Sequence, residues 1–427
     1  MVSEERCDVL VVGGGPAGAA AGYWLGRAGH DVIVAEKKTF PREKTCGDGL
    51  TPRAVHQLTE MGLAASLESY HRYDGLRAVA HGITIEMEWP DHPVFPKHGY
   101  VVRRSELDGL VAGNAAAAGA RLWQGAEAVA PVVRDGLVRG ATVKRTGAAS
   151  TMPGDTDVVE VSARYVVVAD GSNSRFGRAL GCRRDRSYPQ GMAIRGYWES
   201  PLHDDPWIES ALDVRDREGN SLPGYGWIFP VGDGCINVGI GLLSTFRDWK
   251  SVNTSHLMEE FAATAPAYWG ISEKTQVGQP TGGRLPMAGS VFPKSGPTWL
   301  LIGDAGGSVN PFNGEGIDYA YETARMAAEV LDEALTTGNG LALSDYPRRL
   351  DAEYQLYFKV ARAFTKVIGQ PELMAELTRV GMQSKTLMEW VLAIMANLLR
   401  PDELGPAEAV YRSVAAIARL APDQIRA

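Results

Sequence analysis

The feature that most constrains the fold is a glycine-rich turn near the start of the chain, residues 13–18, with the sequence GGGPAG. It follows an apolar run, residues 7–12, and opens an alanine-rich segment that begins with proline. This order predicts a strand, a tight turn and a helix whose N-terminal amides approach a pyrophosphate. Glu36 follows the next predicted strand, residues 31–35, where a carboxylate can accept hydrogen bonds from both ribose hydroxyls. The predicted dinucleotide contacts are Gly13, Gly15, Pro16, Ala17, Gly18 and Glu36.

A glycine turn of this kind can bind NAD or FAD, and a turn without any ligand is the alternative. A second segment of the chain distinguishes between the two cofactors. Residues 299–302 predict a buried strand that ends at Gly303, so that Asp304 can bond the polar chain of a cofactor. Residues 311–317 (PFNGEGI) can present amides to an electron-rich ring at a helix start. The contacts predicted from this turn are Pro311, Gly314, Gly316 and Ile317.

These segments resemble the p-hydroxybenzoate hydroxylase-like superfamily of flavoproteins, in which the Gly-Asp segment contacts the ribityl chain of FAD. Residues 103–108 (RRSELD) resemble the superfamily's RxxLD element, whose arginine, here Arg104, lies against the flavin dinucleotide. A solvated surface arginine is the alternative. Residues 170–171 resemble its Asp-Gly segment. The resemblance implies FAD as the cofactor.

Two further motifs resemble the geranylgeranyl reductase family. Residues 41–49 (PREKTCGDG) match its flavin-proximal segment, and residues 225–241 match its YxWxFP(x8)GxG pattern. Within the family, the wording CGDGLTPRAV, DDPW and LPGYGWIFP is most similar to actinobacterial menaquinone reductases. The resemblance implies an oxidoreductase that saturates an isolated C=C bond of an isoprenoid chain, in a menaquinone tail or a geranylgeranyl lipid. It also implies that Lys44, Cys46 and Gly47 contact FAD, with a surface lysine as the alternative for Lys44.

The aromatic residues of the second motif predict a wall beside the flavin. On a strand, Tyr225, Trp227 and Phe229 fall on one face because side chains alternate. Gly224 and Gly226 are expected to leave room for close approach. An aromatic cluster within an ordinary core strand is the alternative. The predicted substrate-lining residues are Tyr225, Trp227, Phe229, Gly239 and Gly241.

Three residues are candidates for catalysis: Cys46, Tyr225 and Trp227. Cys46 is interpreted as a proton donor or a shape element, with an inert buried thiol as the alternative. The histidines form no HxxxH or HExxH pair, so metal catalysis has no support. The alternative activity is a flavin-dependent monooxygenase or halogenase acting on an aromatic or polyketide substrate. The WxWxIP motif of the halogenases is broken here by Tyr225 and Phe229.

The predicted fold class is α/β, a Rossmann-like FAD-binding domain of the p-hydroxybenzoate hydroxylase type with an inserted antiparallel-sheet substrate domain and a helical C-terminal region. Alternating runs between residues 187 and 286 favour antiparallel strands. The predicted FAD-binding domain comprises residues 1–72, 101–186 and 287–355. Residues 73–100 and 187–286 form the predicted substrate domain, and residues 356–427 the C-terminal helices.

Composition restricts the partners. A formal net charge of -8 argues against nucleic acid, since it provides no broad basic field. The 4 cysteines, without a CxxC pair, fit a reducing cytoplasm rather than a disulfide framework or a zinc site. The expected partners are a prenylated quinone or isoprenoid lipid and an electron donor, either NAD(P)H or a redox protein. No second GxGxxG is present for NAD(P)H.

Membrane contact is expected to be peripheral, on the inner face of the cell membrane. The first apolar run follows acidic residues and ends in glycines, unlike a signal peptide, and no run approaches the ~20 apolar residues that span a bilayer. Residues 388–399, flanked by Lys385 and Arg400, are a candidate interfacial or tunnel-lining helix. An ordinary core helix is the alternative.

Overall fold

The computed structural model describes residues 3–146, 157–215, 218–219, 221, 224–246, 249–400 and 405–420. Parts of the predicted C-terminal region, residues 401–404 and 421–427, lie outside the described residues, as do Leu222 and Pro223 of the LPGYGWIFP segment.

The strands are given in chain order. They are β1 (Ser3–Val12), β2 (Val32–Glu36), β3 (Gly49–Leu50), β4 (His71–Tyr73), β5 (Gly75–Ala80), β6 (Ile83–Glu88), β7 (Gly99–Val101), β8 (Arg121–Gln124), β9 (Ala126–Arg134), β10 (Leu137–Arg145), β11 (Asp157–Val168), β12 (Arg183–Arg184), β13 (Gln190–Glu199), β14 (Trp207–Ala211), β15 (Tyr225–Pro230), β16 (Cys235–Leu243), β17 (Gln276–Pro286), β18 (Val291–Phe292), β19 (Ser295–Gly296) and β20 (Trp299–Leu301).

The α-helices follow the same order. They are α1 (Pro16–Arg27), α2 (Pro52–Glu60), α3 (Ala64–Leu67), α4 (Arg104–Ala117), α5 (Arg175–Ala179), α6 (Thr254–Thr264), α7 (Ile317–Thr337), α8 (Asp345–Ile368), α9 (Pro371–Gly381), α10 (Lys385–Met395) and α11 (Pro406–Leu420). Short 3₁₀ helices span Ala267–Trp269, Gly303–Gly306 and Gly340–Ser344.

The first large sheet carries the glycine turn. Its path through the described residues is β19-β20-β11-β1-β2-β8, with β9 and β10 joined to β11 at the side. The pairs β20-β11, β11-β1, β1-β2 and β2-β8 are parallel. The centre of β1 is fully buried and apolar throughout, as expected for a parallel strand covered on both faces. The carboxyl ends of β1, β2 and β20 therefore lead to the glycine turn, Glu36 and Asp304 at one edge of the sheet.

The second large sheet has the order β17-β13-β16-β15-β14-β5-β6 among the described residues, and its pairs are antiparallel except β14-β5. A small sheet has the order β3-β7-β4, and its first strand begins at Gly49 and pairs with β7. The predicted fold class, α/β with an inserted antiparallel sheet and C-terminal helices, agrees with these sheets and helices. The domain boundaries stay a prediction.

The C-terminal helices pack on both parts of the molecule. Side chains of α8, among them Tyr354 and Phe358, belong to the same core as α1 and α7. On α10, Met388 and Leu392 are buried in a core shared with the second sheet, so that this helix presents its apolar side to the protein. Within the described residues, none of the helices combines the length and the apolar character needed to cross a bilayer.

Candidate active site

The glycine turn is held by close backbone contacts that no larger residue could enter. Gly13 has φ +103°, and a Cβ added there would lie 2.5 Å from the carbonyl oxygen of Ala169. A Cβ at Gly18 would lie 1.8 Å from the carbonyl oxygen of Gly13. The start of α1 is thus pressed against the turn, and the free amides of the helix face outward, as an anion requires.

Glu36 lies beside this turn in a fixed position. Its Oε2 accepts a hydrogen bond from Gly14 N at 2.9 Å, and its Oε1 accepts one from Lys38 N at 2.9 Å. The side chain of Arg42 approaches the same place, because a Cβ on Gly15 would lie 3.2 Å from its Nη2. Arg42 also pairs with Asp108 at 2.9 Å. Sequence reasoning did not select Arg42 or Asp108 as site residues.

Arg104 is buried rather than solvated. It makes a bidentate ion pair with Asp108, at 2.7 and 3.0 Å, one turn later on α4. Burial opposes its charge, but Asp108 and the neighbouring Cys46 together raise its pKa well above the usual range. The alternative of a surface arginine is therefore wrong. Arg104 shares Asp108 with Arg42, which lies over Gly15, and its other neighbour is Cys46.

Asp304 and the 311–317 turn lie at the other edge of the site. Burial raises the pKa of Asp304, while the positive charges of Lys44 and Arg104 lower it. A Cβ on Gly316 would lie 3.4 Å from Asp304 Oδ1, and a Cβ on Gly314 would lie 3.7 Å from the hydroxyl of Tyr225. The turn therefore joins the carboxylate to the aromatic strand.

The residue between those two glycines, Glu315, points into the protein instead. Its carboxylate accepts a hydrogen bond from the hydroxyl of Thr51 and one from Asn313 Nδ2 at 3.4 Å. Burial raises its pKa to about 7, against the opposing effects of Thr51 and Arg53. Glu315 thus titrates near neutrality next to the turn.

The aromatic wall packs on the Cys46 segment, residues 46–49. The ring centroids of Tyr225 and Trp227 lie 6.1 Å apart, and those of Trp227 and Phe229 lie 6.3 Å apart. A Cβ on Gly47 would lie 3.3 Å from Phe229 Cε2 and 3.4 Å from Trp227 Nε1. The structure thus brings together all three candidates for catalysis.

The glycines of the second motif have packing roles in the structure. A Cβ on Gly239 would lie 2.1 Å from Trp227, so that this glycine admits the indole. A Cβ on Gly226 would lie 2.3 Å from the ring of Phe261 on α6, across the sheet from the wall. A Cβ on Gly224 would lie 1.9 Å from the carbonyl oxygen of Gly241. The expected room for a ligand at Gly224 and Gly226 is therefore filled by the protein itself.

A buried hydrogen-bond network fixes the Cys46 segment to the second sheet. Asn237, on β16, donates from Nδ2 to the carbonyl oxygen of Cys46 at 2.9 Å and to Asp48 Oδ2 at 2.8 Å. Its Oδ1 accepts from Trp227 Nε1 at 3.0 Å. Tyr197 also donates to Asp48, whose backbone has φ +64°. Sequence reasoning missed this network because its members lie up to 191 residues apart.

Cys46 is a neutral thiol in this environment. Burial raises its pKa from the usual value of 9.0, and the nearby Asp48 raises it further, while Arg104 lowers it. The thiol can therefore hold a proton at neutral pH but is not activated as a thiolate nucleophile.

The residues of this site fit a flavin dinucleotide. Two buried polar atoms close to the glycine turn, Arg42 Nε and Asp170 Oδ1, have no hydrogen-bond partner among the described residues. They lie where the glycine turn, Glu36 and Asp304 would hold pyrophosphate, ribose and ribityl groups. The wall and the 311–317 turn then border the space for the ring.

Comparisons with known proteins agree with this geometry. The family described as an FAD binding domain matches residues 6–209. A menaquinone reductase of Mycobacterium tuberculosis is 41% identical over 423 residues, which cover 98% of this chain and 98% of that protein.

Two solved structures share the fold. A geranylgeranyl bacteriochlorophyll reductase-like protein from Thermoplasma acidophilum superposes with a TM-score of 0.77 at 23% identity, over 96% of this chain and 100% of that one. The flavin-dependent brominase Bmp2 superposes with a TM-score of 0.73 at 18% identity, over 97% and 98%. At these identities the likeness concerns the fold alone, so it does not favour the halogenase alternative.

Proposed function

Because the chain belongs to the menaquinone reductase family of FAD-dependent oxidoreductases, we propose that it saturates one isolated C=C bond in the isoprenoid tail of menaquinone. FAD, when bound and reduced, supplies a hydride to one alkene carbon. A proton adds to the other carbon, so that the tail gains two hydrogens. A geranylgeranyl lipid is the other candidate substrate, because its chain contains the same kind of isolated C=C bond.

The observation that carries this proposal is the aromatic wall against the Cys46 segment. An unactivated alkene resists hydride transfer, so that it must be held close to the donor in a dry site. Tyr225, Trp227 and Phe229 offer ring faces to an apolar chain, and Trp227 is buried with its indole N–H already bonded to Asn237. The wall therefore binds hydrocarbon without leaving a polar group unsatisfied.

We assign the proton to the thiol of Cys46. It is neutral because of burial, and Asn237 fixes its backbone by the hydrogen bond to the Cys46 carbonyl. Arg104 borders the thiol, so that its positive charge favours the thiolate that the proton transfer leaves, and this thiolate takes a proton from water once the product has left. Lys44, with its carbonyl oxygen held by Arg195 Nη2 at 3.1 Å, is assigned to the polar chain of the cofactor.

Tyr225 has a different role in this proposal. Its hydroxyl donates to the carbonyl oxygen of Asn313, so that it braces the 311–317 turn. Burial raises its pKa far above neutrality, and the hydroxyl stays protonated. Tyr225 is therefore a positioning residue that connects the wall to the turn.

A single-turnover assay tests the function. The FAD-loaded protein, reduced with dithionite without oxygen, is mixed with a prenylated naphthoquinone in detergent, and the product mass is measured. We expect a gain of two hydrogens in the tail. A product that forms only with oxygen would indicate hydroxylation, and a chloride-dependent product would indicate halogenation; either contradicts the proposal. Dithionite also reduces the quinone ring, so that the mass of the released tail fragment is compared.

Replacing Cys46 by serine tests the proton donor in the same assay. Serine keeps the shape but is a much weaker acid, so we expect tail reduction to slow by roughly 10²-fold or more. Bound FAD, measured by absorbance, should be retained. If both Cys46→Ser and Tyr225→Phe leave turnover intact, the assignment of the reaction site is wrong.

Two partners complete the proposal. The electron donor is NAD(P)H or a redox protein, and anaerobic bleaching of the flavin on mixing with NADH or NADPH distinguishes them. Since the substrate resides in a bilayer, the chain works as a peripheral protein on the inner face of the cell membrane. Failure of both nucleotides to bleach the flavin would favour a protein donor.

A further inference from the structure

Arginine side chains from separate elements gather at one place on the surface of this acidic protein. Arg184 lies on β12 and donates to the carbonyl oxygen of Tyr188 at 3.1 Å. The guanidinium of Arg362, on α8, stacks on the ring of Tyr188 at 4.4 Å from its centroid. Arg186 follows two residues after Arg184, and Arg284 lies on the edge strand β17. Burial lowers the pKa of Arg184, and the positive charges of Arg186 and Arg284 lower it further.

We call these side chains, together with exposed Lys366, the basic patch: Arg184, Arg186, Arg284, Arg362 and Lys366. Lys366 is four residues after Arg362 and so shares its face of α8. The carboxylate within the patch belongs to Asp185, and it is occupied by the amide and hydroxyl of Ser187 at 2.9 and 2.6 Å. The patch therefore carries a net positive charge, against -8 for the whole chain.

An exposed apolar stripe follows the patch directly. On α9, which begins five residues after Lys366, Leu373, Leu377 and Val380 are 40%, 45% and 61% exposed. Their spacing of four and three residues places them on one side of the helix. Thr378 and Gly381, on the adjacent side, are buried against the protein. The stripe is thus an outer surface of α9 and does not belong to the core.

One member of the patch lies on a strand that also borders the reaction site. Arg284 is on β17, the edge strand of the second sheet. The neighbouring residue Leu285 would contact a Cβ on Gly314 at 3.7 Å, and Thr281 accepts a hydrogen bond from Thr45 at 3.1 Å. β17 therefore borders both the 311–317 turn and the Cys46 segment.

We propose that the basic patch and the α9 stripe dock this protein on an anionic lipid bilayer. Guanidinium and ammonium groups bind the anionic headgroups, and Leu373, Leu377 and Val380 insert among the upper acyl chains. This inference rests on the proposed function, because a substrate in the bilayer gives the docking its purpose. It replaces residues 388–399 as the interfacial segment, since Met388 and Leu392 are buried.

A zwitterionic surface or an acidic protein fits the site less well. A zwitterionic bilayer would gain nothing from the patch, and an acidic protein would have to cover the apolar stripe as well. Glu372 and Glu376 lie on α9 too, but Glu376 pairs with Arg379 on the same helix. The basic and apolar parts together favour an anionic membrane.

Vesicle sedimentation of the FAD-loaded full chain tests the docking. We expect binding to vesicles that contain phosphatidylglycerol, weaker binding to pure phosphatidylcholine, and release by salt. Arg186→Glu with Arg284→Glu should lower partitioning at least roughly 30-fold, since each cation near such a surface contributes a factor of about five. Leu377→Glu with Val380→Glu should lower it for vesicles of either kind.

Matched substitutions elsewhere serve as controls. Arg348→Glu reverses a charge on the same helix, about 21 Å along α8 from Arg362 at 1.5 Å per residue. Leu341→Glu introduces a charge at an apolar residue that is 79% exposed. Neither control should alter sedimentation. If the patch and stripe variants sediment like these controls, or the unaltered protein binds both lipids equally, the docking surface is wrong.

A second readout separates this proposal from the proposed function. All variants should reduce a short-chain prenylated quinone in detergent micelles at the unaltered rate, whereas reduction of the quinone in vesicles should fall with sedimentation. Tail reduction in micelles without any vesicle binding overturns the docking and leaves the function standing. Patch-dependent vesicle binding without tail reduction in micelles supports the docking and overturns the function.

Discussion

The glycine turn at residues 13–18 and the Cys46 segment both contain backbone at positive φ, but they are held there in different ways. In the turn the residue is Gly13, at φ +103°, and its lack of a Cβ makes the conformation free of strain. In the Cys46 segment the residue is Asp48, at φ +64°, a conformation that costs an L-residue free energy, although less for aspartate than for most. Its carboxylate accepts hydrogen bonds from Asn237 and Tyr197, which enforce it here.

The two parts of the site are therefore encoded differently. The glycine turn is a steric arrangement in which Gly18 meets the backbone of Gly13, and Gly13 meets the carbonyl oxygen of Ala169 just after β11, so that glycine is required at both positions. The Cys46 segment depends on side chains of the second sheet that arrive from distant parts of the chain. The glycine turn, which we call the cofactor end of the site, is therefore determined by residue type. The Cys46 segment, which we call the reaction end, is determined by how the second sheet packs against it.

Replacing Gly18 by alanine should have the largest effect on stability, because it disrupts the close backbone contacts of the glycine turn. The new Cβ would lie 1.8 Å from the carbonyl oxygen of Gly13, and both atoms are fixed to backbone. We expect a loss of roughly 4 kcal/mol or more in unfolding free energy and no retained FAD. Urea unfolding and flavin absorbance measure the two effects.

Gly113→Ala is the matched control for that substitution. Gly113 lies inside α4, and a Cβ there meets nothing within 4 Å. Alanine should therefore stabilise the helix by about 0.5 to 1 kcal/mol and leave FAD bound. Equal tolerance of both substitutions would contradict the steric account of the turn.

Replacing Asn237 by leucine tests how far the Cys46 segment depends on side chains of the second sheet. The change leaves Trp227 Nε1, the Cys46 carbonyl and Asp48 without their partner in a buried place. We expect a loss of about 3 kcal/mol in unfolding free energy and slower tail reduction, with FAD still bound at the glycine turn. Asn114→Leu, which removes one bond to Met61, should cost about 1 kcal/mol without slowing the reaction. Loss of FAD in the Asn237 variant would show that the two regions are not separable.

The same contrast explains how much could be predicted from the sequence. The glycine turn, Glu36, Asp304 and the aromatic strand were all selected, because periodicity and glycine spacing express local geometry. Arg42 was not, because nothing in the sequence shows that it folds back over Gly15.

The Asp48–Asn237 network also could not be predicted. An asparagine on an apolar strand has no distinctive spacing, and its partners are known only when the sheets are packed. Gly226 was misinterpreted for the same reason, since Phe261 comes from a helix on the other side of the sheet. The surface position considered for Arg104 is wrong for the same reason. Its burial and its ion pair with Asp108 are known only once the protein is folded.

Replacing Glu315 by glutamine tests the reaction end of the site through the pH dependence of the unfolding free energy. Burial raises the pKa of Glu315 from 4.5 to about 7, so that the native state keeps a proton which the unfolded chain releases. The unfolding free energy therefore falls as the pH rises from 4.5 to about 7. Glutamine keeps the bond from Thr51 without a charge, so the variant should be more stable than the unaltered protein at pH ~8, by about 3 kcal/mol, and equal to it at pH ~4.

Paired denaturation curves at the two pH values measure this difference. Glu329→Gln, an exposed change on the same helix α7, should shift neither curve by more than about 0.5 kcal/mol. A Glu315→Gln variant that is less stable at high pH would mean that the native environment favours the ionised carboxylate, and so lowers the pKa of Glu315 instead of raising it. The reaction end would then be held by charge pairs, like the cofactor end at Arg42 and Asp108.

Tyr225→Phe should have the smallest effect, because it removes one hydroxyl where the two regions meet. The lost hydrogen bond to Asn313 should cost about 1 kcal/mol in unfolding free energy, since the carbonyl acceptor loses its partner. If Tyr225 positions the 311–317 turn, tail reduction should also slow while FAD remains bound. Tyr268→Phe, which removes a bond to Glu209 on the face of the second sheet opposite to the wall, should cost a similar free energy without slowing the reaction. Equal rates in the two variants would assign Tyr225 to the packing of the second sheet, and the junction between the regions would then rest on Gly314 and Gly316.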